Sequence, residues 1–153
     1  MSEKAVIYKS PIGEILLKEQ SGYLTGLFFE RETTLEVFET PILTKTMKQL
    51  DEYFEGKRKN FDLELNNIGT DFRKKTWDAL MKIPYGETIN YKELAIMIGN
   101  EKAARAVGGA NHHNNISIIV PCHRVIGASG KLVGYGGEVW RKEWLLEHEK
   151  KHK

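Results

Sequence analysis

The chain has 153 residues, 41% of them hydrophobic and 29% charged, with a formal net charge of +2 and one cysteine. These values are typical of a globular protein of one domain or two small ones, and a single cysteine excludes an internal disulfide. No apolar run approaches the roughly 20 residues of a membrane span, and Met1 to Tyr8 lacks the apolar centre of a secretory signal. We therefore expect a cytoplasmic protein that does not bind membranes.

The chain begins with a pattern of short strands and turns. Strands are predicted at Val6 to Lys9, Glu14 to Lys18 and Tyr23 to Phe29, separated by turns rich in Ser, Pro and Gly. Because short connections join neighbouring antiparallel strands, we predict that these three strands form a meander.

A helix and a fourth strand are predicted to complete this first part. Apolar residues recur at helical spacing after Pro41, namely Leu43, Met47, Leu50 and Phe54. Gly56 is expected to end that helix. Alternation of apolar and acidic residues from Phe61 to Leu65 predicts a half-buried strand. Residues 1–66 are thus predicted to form a small antiparallel sheet with one helix.

Residues 67–153 are predicted to be mainly helical. Thr70 can cap one helix, and Asn90 with Glu93 forms the pattern of a capping box at the start of another. A further short helix is predicted to begin near Glu101, after a Gly-Asn turn. Two short helices joined in this way are typical of a helix-turn-helix, although packed helical hairpins with no nucleic-acid role show the same pattern.

A last helix is predicted from Val139 to Lys150, with a core face formed by Trp140, Trp144 and Leu145. Earlier in the chain, the adjacent His112 and His113 point to different sides of the backbone. Since a metal site needs three or four converging ligands, we expect no metal site there.

The only cysteine follows a run of branched apolar residues. Ile116 to Val120 predicts a buried extended segment, and Pro121 must end or turn it because proline lacks a backbone donor. Cys122 is therefore expected where core meets cavity, next to His123. A thiol becomes a strong nucleophile as a thiolate, which a basic neighbour promotes. From these residues alone, Cys122 is a small buried hydrophobe, a reactive thiol or a metal ligand.

Four stretches of the second half occur together in a known order. They are Ile-Pro-Tyr-Gly-Glu at 83–87, Ala-Ala-Arg-Ala-Val-Gly at 103–108, Pro-Cys-His-Arg-Val at 121–125 and Lys-Glu-Trp-Leu-Leu-Glu-His-Glu at 142–149. In sequence and spacing they resemble the motifs of the O6-alkylguanine-DNA alkyltransferases, proteins that repair DNA by direct reversal. The resemblance implies an α+β fold: a ribonuclease-H-like sheet domain at 1–66 and a helix-turn-helix domain with the active site at 67–153.

The resemblance also implies a reaction that each molecule performs once, without a cofactor. Cys122 would accept the alkyl group of O6-alkylguanine irreversibly. His123 would take the thiol proton through a water, and Glu149 would orient His123. Tyr91 would donate a hydrogen bond or proton to the departing guanine, whose edge would be held by the backbone near Val125.

The implied partner is double-stranded DNA that carries O6-alkylguanine. The target carbon lies inside the duplex, so the base must be flipped out of the stack. By the resemblance Arg105 fills the vacated space from a helix in the minor groove, which departs from the usual major-groove docking of this motif. Ala104 provides a small contact surface beside it, and Asn114 joins the helix-turn-helix to the active-site segment. We expect a monomer.

The resemblance assigns a loop with Tyr135, Gly136 and Gly137 to the rim of the substrate pocket. Gly136 stands where other members carry a small hydroxyl residue, and Ser117 stands where some have proline. Both departures bear on the width of the pocket. They leave open the preference between methyl and bulkier alkyl groups, and the sequence does not decide whether O4-alkylthymine is also a substrate.

Three other functions are open to such a chain. A helix-turn-helix module could recognise alkylated DNA without chemistry, but family relatives of that type replace the cysteine. A thiol hydrolase could use Cys122 and His123, although adjacent residues need a water or a bend to exchange a proton. A transcription regulator could use the same helix-turn-helix.

Overall fold

Four strands form the sheet of the first of two units. In the computed structural model, which describes residues 2–127 and 139–153, these strands are β1 (Lys4–Ser10), β2 (Gly13–Gln20), β3 (Tyr23–Phe28) and β4 (Glu36–Val37). The strand order is β3-β2-β1-β4, with β1–β2 and β2–β3 antiparallel and β4 parallel to β1. The predicted meander of three strands is therefore confirmed.

The sheet is mixed rather than wholly antiparallel, because β4 pairs in parallel with β1. The sequence gives no sign of β4, since a strand of two exposed residues has neither alternation nor an apolar run. The strand predicted from Phe61 to Leu65 is wrong. Its side chains alternate in burial as expected, but its backbone pairs with Leu24 only at Leu65.

One helix, α1 (Pro41–Phe54), belongs to the same unit. The Thr40 side chain accepts a hydrogen bond from the Leu43 backbone N–H, and Pro41 occupies the first turn, where its missing donor does no harm. The helix gives way to Gly56, which has a φ of 77°, as the sequence predicts. Fully buried apolar residues of this unit include Leu17, Leu24, Leu27, Leu43, Leu50 and Tyr53.

Each of the two units consists of two separate segments of the chain. Residues Met1–Ile68 and Asn115–Ile119 form the first, named here the sheet unit, and residues Gly69–Asn114 and Val120–Lys153 form the second, the helical unit. A short segment before the cysteine thus belongs to the sheet unit. The domain boundary between residues 66 and 67 stays a prediction.

The helical unit contains α2 (Asp71–Leu80), α3 (Tyr91–Met97), α4 (Ala104–His112) and α5 (Val139–Lys151). The predicted caps are confirmed: the Thr70 side chain accepts from the Arg73 N–H, and Asn90 and Glu93 form a reciprocal capping box. None of the helices in the described residues is long and apolar enough to cross a membrane.

Two very short strands place the functional segments of the helical unit side by side. β5 (Ile89–Asn90) directly precedes α3, and β6 (Val125–Ile126) directly follows the 3-10 turn Cys122–Arg124. The two strands pair in parallel, Ile89 with Val125. The start of α3 is therefore held beside the cysteine turn.

The segment before the cysteine is buried, as predicted, but it is not extended. Ile118 has a φ of 72°, and the Ile119 N–H donates to the Ser117 carbonyl at 2.8 Å, which makes a three-residue γ-turn. A second γ-turn follows, in which the Cys122 N–H donates to the Val120 carbonyl at 2.8 Å. Pro121 lies at its centre with φ −80° and ψ 64°. The predicted turn at Pro121 is confirmed.

The inner face of α5 differs from the prediction. Trp140 is 48% exposed, whereas Lys142, Leu145 and Glu149 are fully buried. These three residues follow a helical spacing of three and four. The buried face therefore consists of Leu145 between two charged side chains. Hydrophobicity alone predicts Leu145 correctly but places Trp140 in the core and misses both charged residues.

Candidate active site

Cys122 is buried at the start of a 3-10 turn, with 4% of the residue exposed. Its backbone N–H is held in the γ-turn, and its carbonyl accepts a hydrogen bond from Asn111 Nδ2 at 3.3 Å. Asn114 Nδ2 donates to the carbonyl of Val120, two residues before it, at 2.8 Å. Side chains from the end of α4 thus fix the backbone on which the thiol stands.

Glu149 is the centre of a buried network. His123 Nε2 lies 2.7 Å from Glu149 Oε2, and both side chains are at most 1% exposed. Arg124 donates from Nε to Oε1 at 2.8 Å and from Nη2 to Oε2 at 3.1 Å. The backbone N–H of Gly86 also reaches Oε1, at 3.3 Å. A bidentate guanidinium and two further donors thus satisfy one carboxylate, which is the condition for burying it.

The network fixes the tautomer of His123. An ionised carboxylate can only accept, so the hydrogen of the neutral imidazole lies on Nε2, and Nδ1 is the nitrogen that can take a proton. Because Nδ1 carries no hydrogen, the imidazole of His123 can act as a base toward the neighbouring Cys122.

The pKa values agree with this assignment. Burial lowers the pKa of His123, and the Arg124 and Lys142 cations lower it further against the pull of Glu149. Burial alone would raise the pKa of Glu149, but the hydrogen bonds and charges of His123 and Arg124 hold that pKa well below its usual range. At neutral pH the pair is therefore a carboxylate and a neutral imidazole.

Arg124 has further partners, which the sequence did not reveal. Its Nη1 donates to the Ile83 carbonyl at 2.7 Å, and its guanidinium lies 5.6 Å from the centre of the Tyr85 ring. Burial and the charge of Glu149 raise the pKa of Tyr85. The Ile-Pro-Tyr-Gly stretch therefore encloses the ion pair between Arg124 and Glu149.

Lys142 is another buried cation that sequence reasoning missed. Its ammonium is fully buried and donates to the carbonyl of Val125, the residue expected to hold the guanine edge. Burial lowers the pKa of Lys142, and the charge of Cys122 acts in the opposite direction. A cation near a thiolate stabilises it. Its spacing of seven residues from Glu149 on one helix was the available signal.

Tyr91 begins α3 and is partly buried. A Cβ added to Gly108 on α4 would lie 3.7 Å from its ring, which is an ordinary van der Waals distance, so α4 packs beside the phenol ring. Burial raises the pKa of Tyr91, a hydrogen bond with the Asn111 side chain lowers it, and the charge of Cys122 raises it. Tyr91 therefore lies in the electrostatic field of the cysteine, as the predicted role requires.

The other predicted residues lie elsewhere. Arg105 and Ala104 occupy the first turn of α4, where Arg105 is exposed and Ala104 partly buried. Ser117 belongs to the sheet unit. Tyr135, Gly136 and Gly137 lie outside the described residues. The described part of the helical unit thus brings together Cys122, His123, Glu149, Tyr91, Val125 and Asn114.

No group of three or more His, Cys, Asp or Glu within residues 2–127 and 139–153 could hold a metal ion. What the described side chains can do is acid–base chemistry around one thiol. A buried cysteine beside an imidazole held by a carboxylate is the arrangement of a protein that attacks an electrophile with a thiolate.

Comparison with known proteins gives this arrangement a family. Residues 5–66 match the family model described as "6-O-methylguanine DNA methyltransferase, ribonuclease-like domain", and residues 71–151 match that of the DNA binding domain of the same protein. The chain belongs to the 6-O-methylguanine DNA methyltransferase family.

Individual relatives agree over nearly the whole chain. A methylated-DNA–protein-cysteine methyltransferase of Mycobacterium tuberculosis is 51% identical over 146 residues, which cover 92% of this chain and 88% of the relative. A constitutive one of Bacillus subtilis is 43% identical, covering 93% and 92%. The structure of the M. tuberculosis O6-methylguanine methyltransferase, called OGT, in complex with DNA matches with a TM-score of 0.89 and 48% identity, covering 99% of this chain and 94% of that one.

Proposed function

We propose that this protein repairs DNA by direct reversal, moving the alkyl group of O6-alkylguanine to the sulfur of Cys122. The observation that carries the proposal is the buried contact of 2.7 Å between His123 and Glu149 directly beside the only cysteine. Membership of a family whose curated members are methylated-DNA–protein-cysteine methyltransferases supports the same conclusion.

The described residues provide each proton step. His123 Nδ1 takes the thiol proton through a water, and Glu149 stabilises the imidazolium that forms. The thiolate then attacks the alkyl carbon in line: the S–C bond forms, the C–O6 bond breaks, and its electron pair leaves with guanine. Tyr91 gives a proton to the departing base and recovers one from His123 by way of solvent. The thioether that remains is stable, so each molecule acts once.

Recognition of the lesion is assigned to α3 and α4. We propose that they act as a helix-turn-helix that approaches the minor groove of double-stranded DNA. Arg105 is exposed on the first turn of α4, with small residues around it, and fills the space of the flipped base. Asn114, bound to the Val120 carbonyl, connects this helix to the cysteine turn.

Other residues of the motifs complete the proposed site. Val125 holds the guanine edge through its backbone, and Ser117, Tyr135, Gly136 and Gly137 shape the pocket. The cytoplasmic location and the monomeric state stay predictions from the sequence, as does the independence from cofactors.

Intact mass of the protein tests the function directly. The wild type and Cys122→Ser are each incubated with duplex DNA that contains one O6-methylguanine. We expect one added methyl group on the wild type only, saturating at one per molecule. Tight lesion-dependent binding without a change in mass would instead identify a non-catalytic sensor, and repeated turnover without modification would identify a hydrolase.

A further inference from the structure

His112 lies on the outer face of α4, the helix assigned above to lesion recognition. The inner face of this helix buries Val107, Ala110 and Asn111, and the helix packs against α2 and α3. Because successive residues of a helix are rotated by about 100°, Arg105 and His112 both point away from the buried face, and both are exposed. The two side chains therefore lie along one line of the helix surface, one in the first turn of α4 and one in the last.

The surface between these two side chains is low. Gly109 is exposed and lies between them, four residues after Arg105 and three before His112. A Cβ added to Gly109 would meet no atom beyond its own helix within 4 Å in the described part of the chain. The backbone of α4 can therefore approach another surface closely here, with a long basic side chain at one end of the contact and an imidazole at the other.

The neighbouring His113 is held differently. Its Nδ1 lies 2.7 Å from the Gly109 carbonyl, whose oxygen can only accept, so this nitrogen carries the hydrogen and caps the end of α4. The ring of His112 packs edge-on against the ring of His113, with the centroids 5.4 Å apart. One histidine thus satisfies the helix end and the other lies on the outer face. Since α4 contains no acidic residue, no carboxylate of this helix competes with an anionic partner for the imidazole of His112.

We propose that His112 is a second DNA contact of α4, whose imidazole donates a hydrogen bond to a backbone phosphate. Seven residues of helix rise about 10.5 Å, so this phosphate lies about three base pairs from the nucleotide that Arg105 replaces. An imidazole carries an N–H in both of its protonation states, so the contact needs no charge on His112. Phosphate contacts fix the register of a protein on the duplex and carry no sequence information.

The inference rests on the proposed function and adds a direction to it. A single contact at Arg105 leaves α4 able to rotate about the flipped nucleotide. A second contact at the other end of the helix fixes the line along which α4 lies in the groove. Removal of His112 should therefore weaken binding to any duplex, with or without a lesion.

Binding titrations with a labelled duplex test this, with and without one O6-methylguanine. Every variant carries Cys122→Ser, so that bound DNA is not repaired during the titration. We expect His112→Ala to raise the Kd of both duplexes by the same factor, about fivefold, the effect of one hydrogen bond. His112→Arg should restore tight binding, and its log affinity should fall with log salt more steeply than that of His112→Ala, by about 0.9. The matched control is His113→Gln, which should leave both affinities unchanged.

A neutral methylphosphonate, placed at one phosphate after another around the lesion, locates the contact. One position about three base pairs away should weaken binding by the protein with His112 about fivefold and leave binding by His112→Ala unaffected. An unchanged affinity of His112→Ala, a loss confined to the lesion duplex, or a loss that no single phosphate accounts for would overturn the proposal. A wild type that takes no methyl group from O6-methylguanine in DNA would instead overturn the proposed function.

Discussion

The sheet unit and the helical unit bury different kinds of side chain. Among the described residues, the buried polar groups of the sheet unit are Glu19, Thr46 and Gln49, and each of them bonds to nearby backbone. The helical unit buries more polar groups, and five of those described are basic or acidic side chains: His123, Arg124, Lys142, His148 and Glu149.

This difference indicates that the buried side chains of the sheet unit mainly stabilise the fold, whereas the buried charges of the helical unit serve the reaction. Burial of apolar surface stabilises the folded state without needing a specific partner. A buried charge must be fully paired, and even a paired one often adds little to stability. The helical unit keeps such groups because a thiolate, an imidazole and a carboxylate are needed at one place. Replacing a charged residue of the helical unit's buried network should therefore change stability or the reaction rate strongly. Replacing a charged residue of the sheet unit should have little effect.

The largest effect is expected from Arg124→Met. The substitution leaves Glu149 buried without its bidentate partner, so the free energy of unfolding should fall by about 3–5 kcal/mol. Urea denaturation measures it. The matched control is Arg58→Met in the sheet unit, where the side chains of Arg58 and Glu52 are 29% and 34% exposed and the pair is worth about 1 kcal/mol or less. Similar losses in the two variants would contradict the comparison.

Glu149→Gln should affect the reaction more than binding. A neutral amide cannot stabilise the imidazolium of His123, so the rate of methyl transfer should fall about 100-fold while affinity for lesion DNA is kept. Single-turnover kinetics and binding titration give the two quantities. Since the thiol itself is less activated, the rate of its alkylation by iodoacetamide should fall too. The control is Glu52→Gln, and a similar loss of rate there would refute the role of Glu149.

A smaller effect concerns acid stability. Burial lowers the pKa of His123 in the folded protein. As the pH falls below about 6.5, the histidine of the unfolded chain is therefore protonated while that of the folded chain is still neutral. The free energy of unfolding should then decline by up to about 1.4 kcal/mol per pH unit, until the folded histidine titrates as well. Glu149, with its lowered pKa, adds a loss only below about pH 4.3.

Denaturation curves between about pH 7 and pH 5 check this for the wild type and His123→Gln. The variant has no titrating group at this position, so its slope should be shallower. Equal slopes would mean that folding does not change the pKa of His123, against the lowered pKa described above.

The smallest effect is expected from Tyr8→Phe in the sheet unit. The Tyr8 hydroxyl donates to Asp51 at 2.7 Å, and burial with this hydrogen bond raises the pKa of Tyr8. Loss of one such bond should lower the free energy of unfolding by about 0.5–1.5 kcal/mol, and the rate of methyl transfer should not change. A fall in rate would show that the polar groups of the sheet unit also serve the reaction.

The sequence predicts the fold where local signals are strong. Thr70, Asn90 and Glu93 carry their capping chemistry in their side chains, and three strands alternate over enough residues to be recognised. The same reasoning fails at β4, which has only two residues, and at Phe61 to Leu65, where alternation reflects burial without backbone pairing.

The site is predictable in part because its motifs resemble those of a known family. Cys122, His123 and Glu149 follow from the resemblance, and His123 and Glu149 lie in contact at 2.7 Å. Arg124 and Asn111 were missed because a single charged or amide residue carries no sign of its partner, which lies far away in the sequence. Such partners become visible only when the chain is folded.

The distance along the chain between the partners of this network has a consequence for biosynthesis. His123 and Glu149 are separated by 26 residues, and a ribosome adds about 5–20 residues each second. A nascent chain thus carries its cysteine for about one to five seconds before the carboxylate has been made. Until translation reaches α5, the imidazole has no fixed tautomer and the thiol no activated base. A protein that can react only once therefore lacks its complete catalytic base until this helix has been synthesised.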